Sequence, residues 1–478
     1  MHKLKGGLYS STRLQAVSIS VKYTSDFFKA LTNMKTPNGY KKCIVFKGTT
    51  LMKAQPFMHI LSSVQRCQRC DNCLKSNKLF KCSGCQFVYY CGRDCQRESW
   101  SIHKSECANL KKISPKIIPD AARLLARIII KLNKGEGDER GYFSERDYRK
   151  FKDLMSHYTD LKQDTKRMEH FVSLCGVLSE FFGETSLPNI AELMGIYGRM
   201  CINSFNILDP EMNSIGVGIY LAPSILDHSC APNAVAVFEG TTIFIRALED
   251  IPQLDWSQVK ISYIDVANST KDRRAELQSS YYFWCNCPKC MGPEPLIYAA
   301  VCPNPLCINP CSIDSSVCSK CGEQISDDFR TKFQEVTDFT AHHVLTLKTM
   351  AYLDISKLCL NKQEGIFHPT NIQYVRTMEA ALEAAVTLNN WEIAEAYATK
   401  LIPGYLLYYR EVDPLTGLLY LLLGKIQLHL EKPKKALISL RKAESILSIT
   451  HGKRHMLMTE KFLPLFQQAV MESGRQDK

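Results

Sequence analysis

The chain has 478 residues, 45% hydrophobic and 23% charged, with 60 Lys and Arg against 48 Asp and Glu and a formal net charge of +12. That is enough chain for about three ordinary domains, and the composition is that of a soluble globular protein. No apolar run reaches the roughly 18 residues of a membrane span. The basic start "MHKLKGGLYSS" has no apolar core behind it, so no secretory signal is expected and the protein is assigned to nucleus and cytoplasm. The excess of Lys and Arg is spread along the chain, in local clusters such as "KDRR" and "HLEKPKK". Charge of that kind reads first as a solvated surface, with nucleic acid or acidic tails as less favoured partners.

In chain order, residues 1–34 carry no clear pattern. Residues 38–60 read as short strands with a turn at Lys47-Gly48. Residues 67–107 are rich in cysteine. "PDAARLLARIIIKLN" is an amphipathic helix begun by Pro119-Asp120, followed by the loop "GEGDERG". Residues 145–208 look mostly helical, and 214–265 return to short β-runs such as "AVAVFEG" and "VKISYID". Residues 285–321 are cysteine-rich again. From about 329 onward apolar residues recur at i, i+3 and i+4, the helical period. Within that tail "WEIAEAYATKL" and "PKKALISLRKA" share small residues at matching offsets, Ala394 and Ala436. Small residues let helix pairs approach closely, so the tail is either a tetratricopeptide-like stack or a plain bundle.

Cysteine carries the most information. There are 21, many in tight pairs, in a large chain without a secretion signal. Such pairs point to zinc and away from disulfides. Cys70-x2-Cys73, Cys82-x2-Cys85, Cys91-x3-Cys95 and His103-x3-Cys107 supply eight ligands, enough for two tetrahedral Zn²⁺ ions. His103 and Cys107, four apart, share a helix face. So small a module buries little apolar surface, and metal must supply its folding energy. Cys67 also makes a Cys-x2-Cys with Cys70, which leaves the starting register open. Cys285-x-Cys287-x2-Cys290 gives three thiolates and a fourth position, filled by water or by a distant Cys such as Cys230. Cys302-x4-Cys307 with Cys318-x2-Cys321-Gly322 reads as a zinc ribbon, with Cys311 spare. Cys43, Cys175, Cys201 and Cys359 stand alone and read as core residues.

The cysteine-rich module, with Tyr90 before Cys91 and Trp100 ahead of His103, resembles the MYND zinc finger. "DHSCAPNA" (227–234), then "VKISYID", then "YYFWCNCPKC", resembles the SET domain of protein lysine methyltransferases. With both, and a helical tail, the chain resembles the SMYD group of SET and MYND domain proteins. The resemblance implies an α+β fold: a SET-domain β-fold with a pseudoknot, an inserted MYND finger, a post-SET zinc site and a C-terminal α-helical domain. The expected division is an unassigned extension over 1–34, a split SET domain over 35–66 and 112–270, and the MYND finger over 67–111. Post-SET (271–295), zinc-ribbon-like (296–328) and helical (329–478) segments follow.

The resemblance also implies ligand sets and roles. Cys70, Cys73, Cys91 and Cys95 hold one zinc, and Cys82, Cys85, His103 and Cys107 a second. Cys230 joins Cys285, Cys287 and Cys290 on a third, and the ribbon Cys302, Cys307, Cys318 and Cys321 would add a fourth. The methyl donor is S-adenosylmethionine. Its contacts match Asn38, Gly39, His157, Asn203, Asp227, His228, Tyr263 and Phe283. Tyr263 is the catalytic tyrosine, and Phe205 and Tyr281 line the lysine channel. Aligning a neutral amine with the methyl and excluding water lower the barrier mostly by positioning. An aromatic channel desolvates the lysine and favours its neutral form, and ring faces stabilise the cationic donor.

Three positions depart from the family pattern. "TPNGYKK" keeps Asn38-Gly39 but lacks the first glycine of a Gly-x-Gly turn. Asp227 stands where an Asn is usual, and an ionised Asp only accepts hydrogen bonds. Asp255-Trp256 replaces a Gly-Glu surface turn. The expected activity is protein-lysine N-methylation of histone or non-histone proteins by a monomer. The alternative is a SET-like scaffold, weak or lost in catalysis, that binds partners through its MYND finger and helical tail. Family MYND fingers hold proline-rich peptides. DNA binding by the basic zinc module is a third and less favoured reading.

Overall fold

The computed structural model describes residues 44–183, 187–349 and 353–475, with side chains of 344–349 left aside. The expected cofactor turn at Asn38-Gly39, the 1–34 extension and Cys43 lie outside the described residues. The turn at Lys47-Gly48 forms as expected, with Gly48 at φ +82°, where a side chain would strain the backbone. It leads into β1 (Thr50–Ala54) and β2 (Met58–Leu61). The zinc-finger module holds β3 (Phe80–Lys81), β4 (Tyr89–Tyr90) and the long helix α1 (Arg93–Ile113).

Helix α2 (Asp120–Asn133) begins where Pro119-Asp120 places it, with Asp120 accepting bonds from Ser62 Oγ at 2.9 Å and Ser63 N at 3.0 Å. Its expected amphipathic character is corrected here: Ala122 to Lys131 are buried without a break. Arg123, Arg127 and Lys131 lie four apart, so their side chains share one face, yet that face is covered too. Each cation there is paired; Lys131 reaches Phe57 O at 2.8 Å and Glu139 at 2.5 Å.

After a short hairpin of β5 (Gly141–Tyr142) and β6 (Tyr148–Arg149) come helices α3 (Tyr158–Gln163), α4 (Thr165–Phe182) and α5 (Ile190–Asn203). The expectation of helix through 208 fails at its end: β7 (Ser204–Leu208) pairs antiparallel with β8 (Ser214–Ile219). Helix α5 ends at Asn203, and the switch from helix to strand between Asn203 and Ser204 matters for the site. Strand β8 also pairs β2, giving the order β2-β8-β7.

Strand β9 (Asp227–His228) runs parallel to β12 (Lys260–Ile261), tying two segments some 30 residues apart; the resemblance puts the pseudoknot here. Between them, β10 (Ala234–Glu239) and β11 (Thr242–Ala247) form a hairpin through Gly240, at φ +61°. Their alternation is that of a half-buried sheet: Ile243, Ile245 and Ala247 are fully buried and point into one core with Val45, Leu51 and Val259. The sheet order is β1-β11-β10.

Helix α6 (Thr270–Tyr281) precedes the second cysteine-rich segment, and the short α7 (Pro288–Met291), which carries Cys290, lies within it. The tail is helical as expected: α8 (Asp327–Thr349), α9 (Leu353–Gln363), α10 (Ile372–Thr387), α11 (Trp391–Tyr408), α12 (Pro414–His429), α13 (Pro433–Leu447) and α14 (Leu463–Arg475). Successive helices pack on one another. Ala394 and Ala436 of the weak repeat are both fully buried. A Cβ added to Gly424 would lie 2.6 Å from Leu440 Cγ, so α12 and α13 meet at glycine. The tail also returns to the sheet: Arg246 Nε on β11 donates to Ile449 O at 2.9 Å, and His455 Nε2 to Phe238 O at 3.0 Å.

Asp413 caps α12 by accepting from Leu415 N at 2.8 Å. Burial, aided by the neighbouring Asp265, pushes its carboxyl up to about 7. An acid raised in the folded state destabilises the fold as pH climbs from about 4 through 7. Asp413→Asn keeps the cap. It should therefore match the parent at pH 4 and exceed it by about 1–2 kcal/mol at pH 8. Denaturant melts at the two pH values check this.

Candidate functional site

Four sets of ligands converge. Cys70, Cys73, Cys91 and Cys95 form one, and Cys82, Cys85, His103 and Cys107 another. Cys230 meets Cys285, Cys287 and Cys290, and Cys302 meets Cys307, Cys318 and Cys321. Within each set the donor atoms lie within 4.8 Å of one another. A tetrahedral Zn²⁺ with bonds of about 2.3 Å separates its sulfurs by about 3.8 Å. Cys73–Cys91 at 3.7 Å, Cys82–Cys107 at 3.9 Å and Cys307–Cys318 at 3.9 Å sit at that spacing. The donor sets, all thiolate with one imidazole, fit structural zinc. The interleaved pairing in the finger and the distant fourth ligand Cys230 are both present as geometry.

Behind the finger lies a cluster that sequence reasoning missed. His103 turns Nε2 toward Cys85 Sγ, at 3.7 Å, and Nδ1 toward Glu106 Oε2, at 3.1 Å. Glu106 meets Arg123 Nε at 2.7 Å and Arg127 Nη2 at 3.0 Å. The same two guanidiniums hold Asp71, beside Cys70, at 2.7 Å and 2.6 Å. All four side chains are at most 5% exposed. Two cations and two anions thus close a neutral buried network, and each zinc set of the finger is braced from α2. Burial works against the charges, but Arg123 and Arg127 outweigh it and hold Asp71 down to about 2. The signal available in sequence was the charge spacing 123, 127, 131 inside an otherwise apolar helix.

A cavity of about 410 Å³ opens where four element ends meet. The α5–β7 switch contributes Asn203 and Phe205, the approach to β9 contributes Leu226, the end of β12 contributes Tyr263, and the end of α6 contributes Tyr281. Four of the nominated residues, Asn203, Phe205, Tyr263 and Tyr281, therefore share one wall. Asn203 spends its amide nitrogen on Met155 O and Arg199 O, both at 2.8 Å, leaving its carbonyl oxygen for a ligand. Tyr263 and Tyr281 rings lie 4.9 Å apart, with Phe283 edge-on to Tyr263 at 6.5 Å. The volume and mixed lining suit a small-molecule or side-chain ligand.

The "DHSC" segment ties this wall to metal. His228 accepts from Tyr263 N at Nδ1, 3.0 Å away, and its Nε2 lies 3.1 Å from Cys230 Sγ. That pattern fixes the neutral tautomer with the proton on Nε2, pointing at a zinc-type thiolate. Burial, then the nearby Arg273, lowers the imidazole to about 4, so it stays neutral. Both ring nitrogens are engaged within the protein, and the ring lies tilted against Phe283 with centroids 6.0 Å apart. The side chain of Asp227 is 72% exposed and pairs with Lys260 Nζ at 2.9 Å. That ion pair lies across the β9–β12 ladder, and Asp227 is not among the residues lining the cavity. His157 meets Asp160 at 2.9 Å and Tyr282 ring to ring at 5.5 Å. Tyr282 itself is left-handed, φ +61°. It ends α6 and turns its ring away from its neighbours Tyr281 and Phe283, so that the latter two can meet Tyr263. The Asp255-Trp256 turn is a surface turn as expected, with Ser257 N donating to Asp255 Oδ1 at 2.9 Å.

The tyrosine-walled cavity, the parallel β9–β12 crossing and the four-cysteine set beside them define a SET-type fold carrying an inserted finger. Residues 65–107 match the family model described as the MYND finger. Histone-lysine N-methyltransferase ASHR1 of Arabidopsis thaliana is 30% identical over 438 residues, covering 86% of this chain and 89% of that protein. Histone-lysine N-methyltransferase SMYD3 of Mus musculus is 29% identical over 424 residues (87% and 92%). N-lysine methyltransferase SMYD2-A of Danio rerio is 28% identical over 426 residues (88% and 94%). The chain belongs to the SMYD family of SET and MYND domain proteins.

Proposed function

We propose that this chain is a protein-lysine N-methyltransferase that moves the methyl group of S-adenosylmethionine onto lysine amines of histone or non-histone proteins. The relatives' names, histone-lysine and N-lysine methyltransferase, support the activity. The observation that carries it is Tyr263, set in the wall of the cavity with its backbone locked through His228 to the Cys230 metal set. When bound, the donor supplies an electrophilic sulfonium methyl. Asn203, Phe283 and the His228 face would hold it, and Phe205, Tyr263 and Tyr281 would sheathe the lysine.

The residues' tasks follow from their states. Burial, then Asp227 and Tyr281, keeps the Tyr263 phenol well above its ordinary value. Burial likewise raises Tyr281. Both phenols keep their protons at neutral pH, so neither is the base. An aromatic, water-poor wall instead lowers the pKa of the entering lysine and favours its nucleophilic neutral form. The remaining task is alignment, which intramolecular positioning rewards strongly. The test is incubation of the purified chain with radiolabelled S-adenosylmethionine and a histone and proteome panel. Label on lysine is expected. A panel with no labelled lysine at any enzyme concentration would overturn the reading.

A further inference from the structure

We propose that Arg376, in the helical tail, is a positioning residue for methyl transfer: it fixes the chain just beyond Tyr263 and neutralises Asp265 in the wall of the same cavity. The inference rests on the methyltransferase reading. Residues 265–267 follow the catalytic strand, and each is gripped from outside it. Arg376 Nη2 reaches the Asp265 carboxylate and donates to Ala267 O at 2.8 Å. Tyr409 OH, from the end of α11, donates to Asp265 Oδ1 at 3.0 Å. Lys289, on α7 between Cys287 and Cys290, donates to Val266 O at 3.0 Å and to Tyr408 O at 2.9 Å. Arg376 is in turn held by Glu379 at 2.9 Å.

The fork of a guanidinium is what this arrangement needs. One arm neutralises a carboxylate and holds a main-chain carbonyl, while the other meets Glu379 and the Tyr409 oxygen, at 3.3 Å. Burial disfavours the Arg376 charge, but Glu379, Tyr409 and Asp265 outweigh it and keep it protonated. The other titratable groups facing Asp265 are Tyr405, Tyr409 and Asp413 from the tail. Tyr263 and Glu276 join it in the cavity wall. The other cation nearby is Lys289, bonded to the main-chain oxygens of Val266 and Tyr408; Arg376 is the one that meets the carboxylate itself. The consequence reaches the reaction. An uncompensated Asp265 would favour the ammonium form of the substrate lysine, which cannot attack. The tail thereby acts on the chemistry and is more than an outer wall.

Four proteins test this: the parent, Arg376→Gln, Arg376→Lys, and Arg376→Gln combined with Asp265→Asn. For Arg376→Gln, kcat with a lysine peptide should fall about tenfold or more, with the KM for S-adenosylmethionine unchanged. The pH midpoint of its rate profile should rise by about half a unit. Arg376→Lys restores the charge without the fork, so the midpoint returns while kcat stays low. The double variant returns the midpoint by removing the carboxylate. Amide hydrogen exchange at 263–267 should quicken in Arg376→Gln and not in the zinc finger. An unmoved midpoint together with unmoved exchange overturns the inference. A parent that labels no lysine defeats the methyltransferase reading, and exchange at 263–267 still decides whether Arg376 holds that segment.

Discussion

Glu106→Gln should unfold the zinc finger from its support, at a cost of about 3–5 kcal/mol. The substitution keeps shape and removes one charge from a closed set of four. Arg123 and Arg127 are then left with Asp71 alone, a net positive charge where each side chain is at most 5% exposed. Burying an unpaired ion is among the largest single-residue penalties known. The same change weakens the acceptor for His103 Nδ1. A carboxylate that accepts from the far nitrogen of a ligating imidazole orients the ring, and losing one typically loosens metal by about 10- to 100-fold. Chemical denaturation and competition with a chromogenic zinc chelator measure the two effects. Arg123→Met combined with Asp71→Asn removes one charge of each sign and should cost less than Arg123→Met alone. A Glu106→Gln protein within 1 kcal/mol of the parent (an ordinary surface effect) would show that the network is not what braces the finger. Acid gives an independent check. Asp71 is held down to about 2 from an ordinary 3.8. Its contribution is therefore intact above about pH 4 and lost as pH falls toward 2.

Much of this site was legible because zinc leaves a record in spacing. Thiolates of one ion must sit about 3.8 Å apart, and a Cys-x2-Cys turn achieves that locally, so pairs announce themselves. The partnering of pairs does not. The interleaving of Cys70-Cys73 with Cys91-Cys95 is set by the tertiary path of the module, and it came from family resemblance and not from the intervals. The strands of the β10–β11 hairpin were legible for a related reason, since alternation of Ile243, Ile245 and Ala247 with Phe244 and Arg246 has period two. Residues whose role depends on a distant partner left weaker signals. Arg123 and Arg127 looked like the polar face of an amphipathic helix, because a sequence does not show that Asp71 and Glu106 arrive to cover it. Arg376 sits more than a hundred residues from Asp265 and reads locally as one arm of an i, i+3 pair with Glu379. The helix expected to run through 208 stops at Asn203 because Phe205 and Ile207 alternate into a sheet against β8, a tertiary choice that overrides local propensity. Asp227 is a different case. The departure was plain in sequence; the partner it finds, Lys260 across a parallel ladder, depends on a pairing 33 residues away.

Tyr263→Phe separates alignment from scaffolding at the center of the site. The ring keeps its 4.9 Å neighbour Tyr281 and its edge contact with Phe283, so the aromatic wall survives. The backbone keeps its bond to His228 Nδ1, so the link to Cys230 and its metal set survives as well. What disappears is one hydroxyl, which donates to Leu226 O at 2.5 Å. That donation commits the proton to the protein and leaves the oxygen lone pairs as the group offered to the cavity. Positive charge shifts from sulfonium to amine during methyl transfer, and a fixed oxygen beside that path stabilises it without reorganising. Losing a preorganised group of this type costs about 100- to 1000-fold in kcat. The KM for peptide, the zinc content and the affinity for S-adenosylmethionine should change little. Leu226 O, in a residue 1% exposed, loses its donor, so stability should drop by about 1–2 kcal/mol. The pH profile should keep its shape, because a phenol raised by burial is not titrating in the working range. His228→Ala is the converse variant. It frees the Tyr263 backbone and exposes Cys230, so it should lower zinc occupancy along with rate. If Tyr263→Phe methylates within threefold of the parent while His228→Ala does not, the hydroxyl has no part in catalysis, and the tyrosine serves only as a wall held in place by the metal.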